Sequence, residues 1–171
     1  MSSVHKTNAA RILEGLGIAY EIREYEVDPE EFSAIVVAEK IGLPPEQVFK
    51  TLLCVTSGKE HVFAVVPGDA ELDFKKLAAA AGARKAEMVS LKDVQPLTGY
   101  VRGGVTVFGA KKDFPVYVDE PLELFDVISV SAGMRGVQVL LKPEDYLRAA
   151  RATVADLTKV VRAAESRERT A

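Results

Sequence analysis

The chain has 171 residues, 48% of them hydrophobic and 27% charged, with one cysteine, two histidines and a formal net charge of −3. That length supports one domain with its own core and needs no disulfide or metal staple. The single cysteine excludes an internal disulfide framework, and the acidic balance excludes nucleic-acid binding by bulk charge, although not by a local basic patch.

The first residues, Met1 to Lys6, lack the apolar core of a signal peptide. No apolar run approaches the roughly 20 residues that a membrane helix needs. A cytoplasmic protein with no membrane partner is expected, with residues 1–171 forming a single domain and residues 158–171 a frayed polar tail.

In chain order, Thr7 or Asn8 caps a helix whose apolar positions Ala9, Ile12, Leu13 and Leu16 follow helical spacing, and Gly17 ends it. Tyr20 to Val27 reads as a strand, broken by Asp28-Pro29. Ser33 caps a helix from Ala34 to Ile41 that Gly42 stops. Leu43-Pro44-Pro45-Glu46 turns the chain into Gln47 to Val55, an apolar strand. Its side chains alternate, so Val48, Lys50, Leu52 and Cys54 share one face and Phe49, Thr51, Leu53 and Val55 the other. A lysine there has two readings. Its stem lies on apolar surface with its head in water, or its ammonium faces a pocket and meets a phosphate, carboxylate or carbonyl.

Ser57-Gly58 joins that strand to His61–Val66 as a hairpin. Asp73 caps Phe74 to Ala81, ended by Gly82. Ala83 to Met88 is extended, and Ser90 to Asp93 resembles a capping box opening a short helix. A glycine-rich stretch, Thr98 to Gly109, precedes the strand at Val116. Val127–Ser131 and Val137–Leu141 form a second hairpin through Gly133-Met134-Arg135-Gly136. Pro143 starts a helix through Leu147, and a further short helix is expected around Val154 and Leu157. Helices and hairpins mix without a regular alternation. The expected fold class is therefore α+β, a largely antiparallel mixed sheet or partial barrel flanked by helices.

His5 and His61 lie in different elements, and no Cys-x-x-Cys or His-Glu-x-x-His occurs, so no metal site is expected. Gly104-x-x-x-x-Gly109-Ala110-Lys111 misses the P-loop by one place and lacks the following Ser or Thr. There is no Gly-x-Ser-x-Gly elbow. Cys54 shares the Lys50 face, but within an apolar strand a free cysteine reads as a small core residue. Gly103-Gly104 can either expose successive backbone N–H groups to an oxyanion or phosphate, or make a tight bend. Scattered Lys75-Lys76, Arg84-Lys85, Arg102, Lys111-Lys112 and Arg135 would make an RNA-contacting patch only if the fold gathers them.

Four ordered motifs carry a likeness: Glu46 to Leu53 around Lys50, Leu72 to Leu77, Thr98 to Gly104, and Val130 to Gly136. With these the chain resembles the YbaK/ProX family of aminoacyl-tRNA deacylases, and the pattern is most like the YbaK branch, which removes cysteine from mischarged prolyl-tRNA. The resemblance implies a YbaK-like fold and trans-editing hydrolysis of Cys-tRNA(Pro). It implies no cofactor, and as partners an aminoacyl-tRNA with prolyl-tRNA synthetase supplying affinity.

The resemblance also implies the site. Lys50 would bind the terminal phosphate or the ester oxygen, and Gly103 and Gly104 would form the backbone side of the pocket. Tyr25 and Phe32 would wall it, and Thr106 and Gln138 would contact the substrate. The substrate's own thiol would attack its ester, leaving Cys54 structural. Three departures lie near that pocket: Gln138 where the family often has Asp, Val105-Thr106-Val107 where Ile-Ser-Pro is common, and Ala132 where glycine is usual. The edited residue therefore stays open between cysteine and another small amino acid such as alanine. A non-catalytic module binding tRNA ends or nucleotides is the rival from a different class.

Overall fold

Cap residues set most of the helix ends. The computed structural model describes residues 6–159. Helix α1, Asn8–Gly15, opens where the Thr7 side chain accepts from the Ala10 N–H. Helix α2, Ala34–Ile41, opens on Ser33 and stops at Gly42, which takes the left-handed conformation (φ 77°). Helix α3, Phe74–Ala81, opens on Asp73, whose carboxylate accepts from the N–H groups of Lys75 and Lys76, and closes on Gly82 (φ 70°). These side chains satisfy N–H groups that have no partner in the first turn. Ser90 behaves differently from expectation. Helix α4, Leu91–Thr98, starts after it without any side-chain cap bond. Helix α5 spans Pro143–Ala150.

Eight strands form two sheets among the described residues: β1 Glu21–Glu24, β2 Phe49–Thr56, β3 His61–Pro67, β4 Ala86–Met88, β5 Val116–Asp119, β6 Ile128–Ser131, β7 Val137–Leu141 and β8 Thr153–Ala155. One sheet has the order β4-β2-β3-β5-β8 and the other β1-β7-β6. Neither closes into a barrel. A parallel bridge from Val48 to Ser129 joins them. Most pairings are antiparallel, while β3 with β5 and β5 with β8 are parallel, so the α+β mixed-sheet expectation holds.

Two expected elements differ. The strand at Tyr20–Val27 is limited to Glu21–Glu24. The helix expected around Val154 and Leu157 is instead strand β8, pairing with β5. Buried Asp119 explains the extended path. Its carboxylate accepts from the Leu157 N–H (2.8 Å) and the Thr158 hydroxyl (2.9 Å). Of the tail expected over residues 158–171, Thr158 bridges Leu72 and the Lys159 N–H donates to the Glu71 carbonyl; the rest lies outside the described residues.

The main core lies on one face of β2 and β3, where Phe49, Leu53, Phe63 and Val65 meet Val130 and Val139 of the other sheet and Leu13 of α1. The opposite face is divided. Cys54, Val62, Ala64 and Val66 pack on Leu77 and Leu157. Val48 packs with Val37, Ala38 and Ile41 of α2. Lys50 stands on β2 between these two clusters.

Candidate active site

The gap around Lys50 opens into a cleft of about 1090 Å³. Its walls include Phe32 and Ile35 at the start of α2, Asp69 and Glu71 after β3, Arg102 and Gly103, and Gln138 of β7. Lys50 is half-buried, and its ammonium donates to the Gly68 carbonyl at 3.4 Å, a long bond. Burial pulls the Lys50 pKa below its ordinary 10.5, opposed by the charges of Asp69 and Glu71. The cleft thus holds a partly desolvated cation with unused hydrogen-bonding capacity.

Gly68 is a site residue that the sequence reading passed over. Its N–H donates to the carbonyls of Pro45 and Val48, and a Cβ there would sit 2.8 Å from the Ala34 Cβ and 2.9 Å from the Val48 carbonyl. Only glycine fits, and that fixes the carbonyl to which Lys50 binds. The available signal was Pro67-Gly68 directly after Val66, the register partner of Lys50.

The glycine pair makes the tight bend, not two free donors. The Gly104 N–H donates to the Val101 carbonyl at 2.8 Å and closes a turn, with Gly103 at φ 87°. Gly103 lines the cleft, and its N–H has no partner among the described residues. Gly104 is buried against Met134 and Arg135 and does not line it.

Phe32 and Gln138 join Lys50 and Gly103 in the cleft. The Gln138 Oε1 accepts from the fully buried Ser129 hydroxyl at 2.8 Å, while its Nε2 has no partner among the described residues and is left for an occupant. Besides Gly104, two of the expected residues are not brought there. The Tyr25 ring packs with the α2 cluster, its hydroxyl buried without a partner among the described residues. Thr106 is buried in the glycine-rich loop, its hydroxyl accepting from the Phe108 N–H at 3.5 Å.

Cys54 is fully buried, in contact with the Met88 sulfur, and burial pushes its thiol up to about 12. It carries no thiolate at neutral pH and does not line the cleft. Ser131 does line it, and its hydroxyl accepts from the Gly133 N–H. No histidine is among the lining residues. The cleft therefore suits a reaction needing a positioned positive charge and hydrogen-bond donors more than one needing a protein nucleophile.

A family model described as an aminoacyl-tRNA editing domain matches residues 28–149. EbsC of Enterococcus faecalis, provisionally named a Cys-tRNA(Pro)/Cys-tRNA(Cys) deacylase, is 43% identical over 153 residues, 90% of this chain and 93% of that protein. The multifunctional Ser/Thr-tRNA deacylase ProXp-y of Escherichia coli is 36% identical over 118 residues, 67% of this chain and 71% of its own length. A proline–tRNA ligase of Geobacter metallireducens is 37% identical over 83 residues, 48% of this chain and 14% of the ligase. A crystal structure provisionally described as a trans-editing enzyme for prolyl tRNA synthetase superposes with a TM-score of 0.78 at 25% identity, covering 92% of this chain and 100% of its own. No described helix is long and apolar enough to cross a membrane. The match over residues 28–149 and the 43% identity along nearly the whole of EbsC establish that the chain belongs to the family of aminoacyl-tRNA editing domains.

Proposed function

We propose that the chain is an aminoacyl-tRNA deacylase that acts in trans in the cytoplasm, removing cysteine from Cys-tRNA(Pro). The observation that carries the reading is Lys50, a half-buried ammonium with one long hydrogen bond, aimed into a cleft of an editing-domain fold. The name of EbsC supports the substrate, and the likeness to a proline–tRNA ligase supports prolyl-tRNA synthetase as the partner supplying the mischarged tRNA. The reading takes residues 1–171 as one editing domain.

The chemistry asks little of the protein. An aminoacyl ester is already activated, so attack by water or by the substrate's own thiol suffices. In the latter case sulfur bonds to the carbonyl carbon, the ester C–O bond breaks, and the ribose hydroxyl leaves with the proton. Negative charge gathers on the carbonyl oxygen during attack. Lys50 and the Gly103 N–H supply the positive field for it in a partly dry site. Cleft size and the Gln138 amide set which side chain enters, with Phe32 as a wall and Tyr25 and Thr106 supporting the site from behind.

A specific observation favours a second reading of the substrate. The free Gln138 Nε2 would donate to the oxygen of a hydroxyl side chain, and ProXp-y is named for serine and threonine. The test is release of amino acid from cysteinyl-, alanyl-, seryl- and threonyl-tRNA by wild type and Lys50→Ala. Rapid release of cysteine alone, abolished by the substitution, is the expected result. Release of another residue instead moves the specificity and keeps the reaction. Binding of tRNA without turnover of any of the four overturns the enzyme reading in favour of a tRNA-end binding module.

A further inference from the structure

A second cationic feature stands at the mouth of the cleft. Arg102 is at the tip of the Val101–Gly104 turn, and Arg135 is in the β6–β7 hairpin. The Arg135 Nε donates to the Arg102 carbonyl at 2.8 Å, across 33 residues of chain. Both guanidiniums approach the Phe32 ring, with Arg135 Cζ 3.8 Å and Arg102 Cζ 5.7 Å from its centroid. Gly103 makes the convergence possible. A Cβ there would lie 2.7 Å from the Phe32 Cδ2 and 3.1 Å from the Arg135 Nε.

Neither guanidinium has a carboxylate within 4 Å among the described residues. Glu30 and Glu31 stand on the same rim without reaching them. Apart from Arg135 Nε, their N–H groups have no hydrogen-bond partner in the molecule among the described residues. Arg135 is also half-buried. An unpaired, half-buried cation is costly unless a ligand completes it. In a chain of net charge −3 the pair is a local device, not a sample of a basic surface. Stacking on an aromatic ring holds the guanidinium fork in place, and that fork matches phosphate oxygens in pairs.

We infer that Arg102 and Arg135, stacked on Phe32, hold the phosphodiester backbone of the tRNA 3′ end. This leaves Lys50, deeper in the same cleft, for the ester. The inference rests on the proposed reading that the cleft takes aminoacyl-tRNA. Phosphate contacts give affinity and salt dependence without sequence information, which suits an enzyme whose selectivity lies in the amino-acid pocket.

The test compares two substrates carrying the same ester, aminoacyl-tRNA and 3′-aminoacyl-adenosine, which has no phosphodiester. Wild type, R102A, R135A and R135K are assayed across a salt series. With aminoacyl-tRNA, each alanine variant should raise KM about 10-fold at unchanged kcat, and flatten the slope of log KM against log salt by about 0.7. R135K should keep most of the slope while losing affinity, because it keeps the charge and loses the fork. On aminoacyl-adenosine all four proteins should be equal. Equal losses on both substrates overturn the inference, since the arginines then serve the ester site. So does an unchanged KM and slope on tRNA, which would turn the patch toward another partner such as an acidic protein surface. If wild type releases no amino acid, the proposed reading fails separately. The salt slope for binding uncharged tRNA, measured by fluorescence anisotropy on the same variants, then decides the inference alone. R102A is at an exposed turn tip and keeps the comparison open should R135A fold poorly.

Discussion

The two faces of strand β2 have the same length, neighbours and register, yet they do opposite things. On one face Phe49, Leu53 and Val55 enter a single continuous core shared with the second sheet. On the other, Val48 just before the strand belongs to the α2 cluster and Cys54 to the α3 cluster, and Lys50 stands in the break. The comparison teaches that a site can be made by withholding packing. A continuous apolar layer would exclude a lysine, whereas a divided one leaves a dry-walled gap in which a single charge acts strongly.

The largest expected effect tests the broken face. Lys50→Ala should lower kcat/KM for the edited aminoacyl-tRNA by about 100- to 1,000-fold. Its melting temperature should move by only a few degrees, because the ammonium contributes one long hydrogen bond. A large loss of stability with the activity of the folded fraction intact would reverse the contrast between the faces. In the same continuous core but away from the cleft, Phe63→Ala of β3 should destabilise by about 4 kcal/mol in urea unfolding, with little change in activity per folded molecule.

Smaller effects sharpen the comparison. Cys54→Ala shares the Lys50 face but sits inside the α3 cluster, so it should cost about 1 kcal/mol of stability and leave turnover unchanged. Lost turnover with Lys50 present would point to a thiol enzyme. The pH profile is the mildest test. Burial lowers the Lys50 pKa, so the ammonium and the enzymatic rate are lost as pH rises, starting below the ordinary 10.5. Measured against a buffer blank, the alkaline limb should move upward in Lys50→Arg, whose charge persists. An alkaline limb common to both proteins would assign it to another group.

Much of this was legible in local pattern. Alternation along Gln47–Val55 put Lys50 on the face away from Phe49 and Leu53, and Ser33, Gly42, Asp73 and Gly82 marked the ends of two helices. What escaped was nonlocal. Val154 and Leu157 have helical spacing, but Asp119 captures the backbone between β8 and Thr158 from about 38 residues away. Arg102 and Arg135 looked scattered until the hairpin and the glycine turn met over Phe32. The family resemblance assigned Tyr25 to the pocket wall, yet strand β1 ends at Glu24 and the ring that follows packs with the α2 cluster. Backbone roles, such as the Gly68 carbonyl and the engaged Gly104 N–H, leave no side-chain signature to read.

The segment from Gly68 to Asp73 is fastened at both ends. Gly68 is tied to Pro45 and Val48, while the Asp73 N–H donates to the Leu157 carbonyl and Lys159 holds Glu71 through both main chain and side chain. The acidic wall beside Lys50 is thus finished by almost the last described residues of the chain. During synthesis the ribosome delivers β2 and its lysine early but the strap that steadies this wall late. A nascent chain that had not reached residue 159 would carry the lysine in an unfinished cleft, so the cleft is completed only once the strap at Leu157–Lys159 has been made.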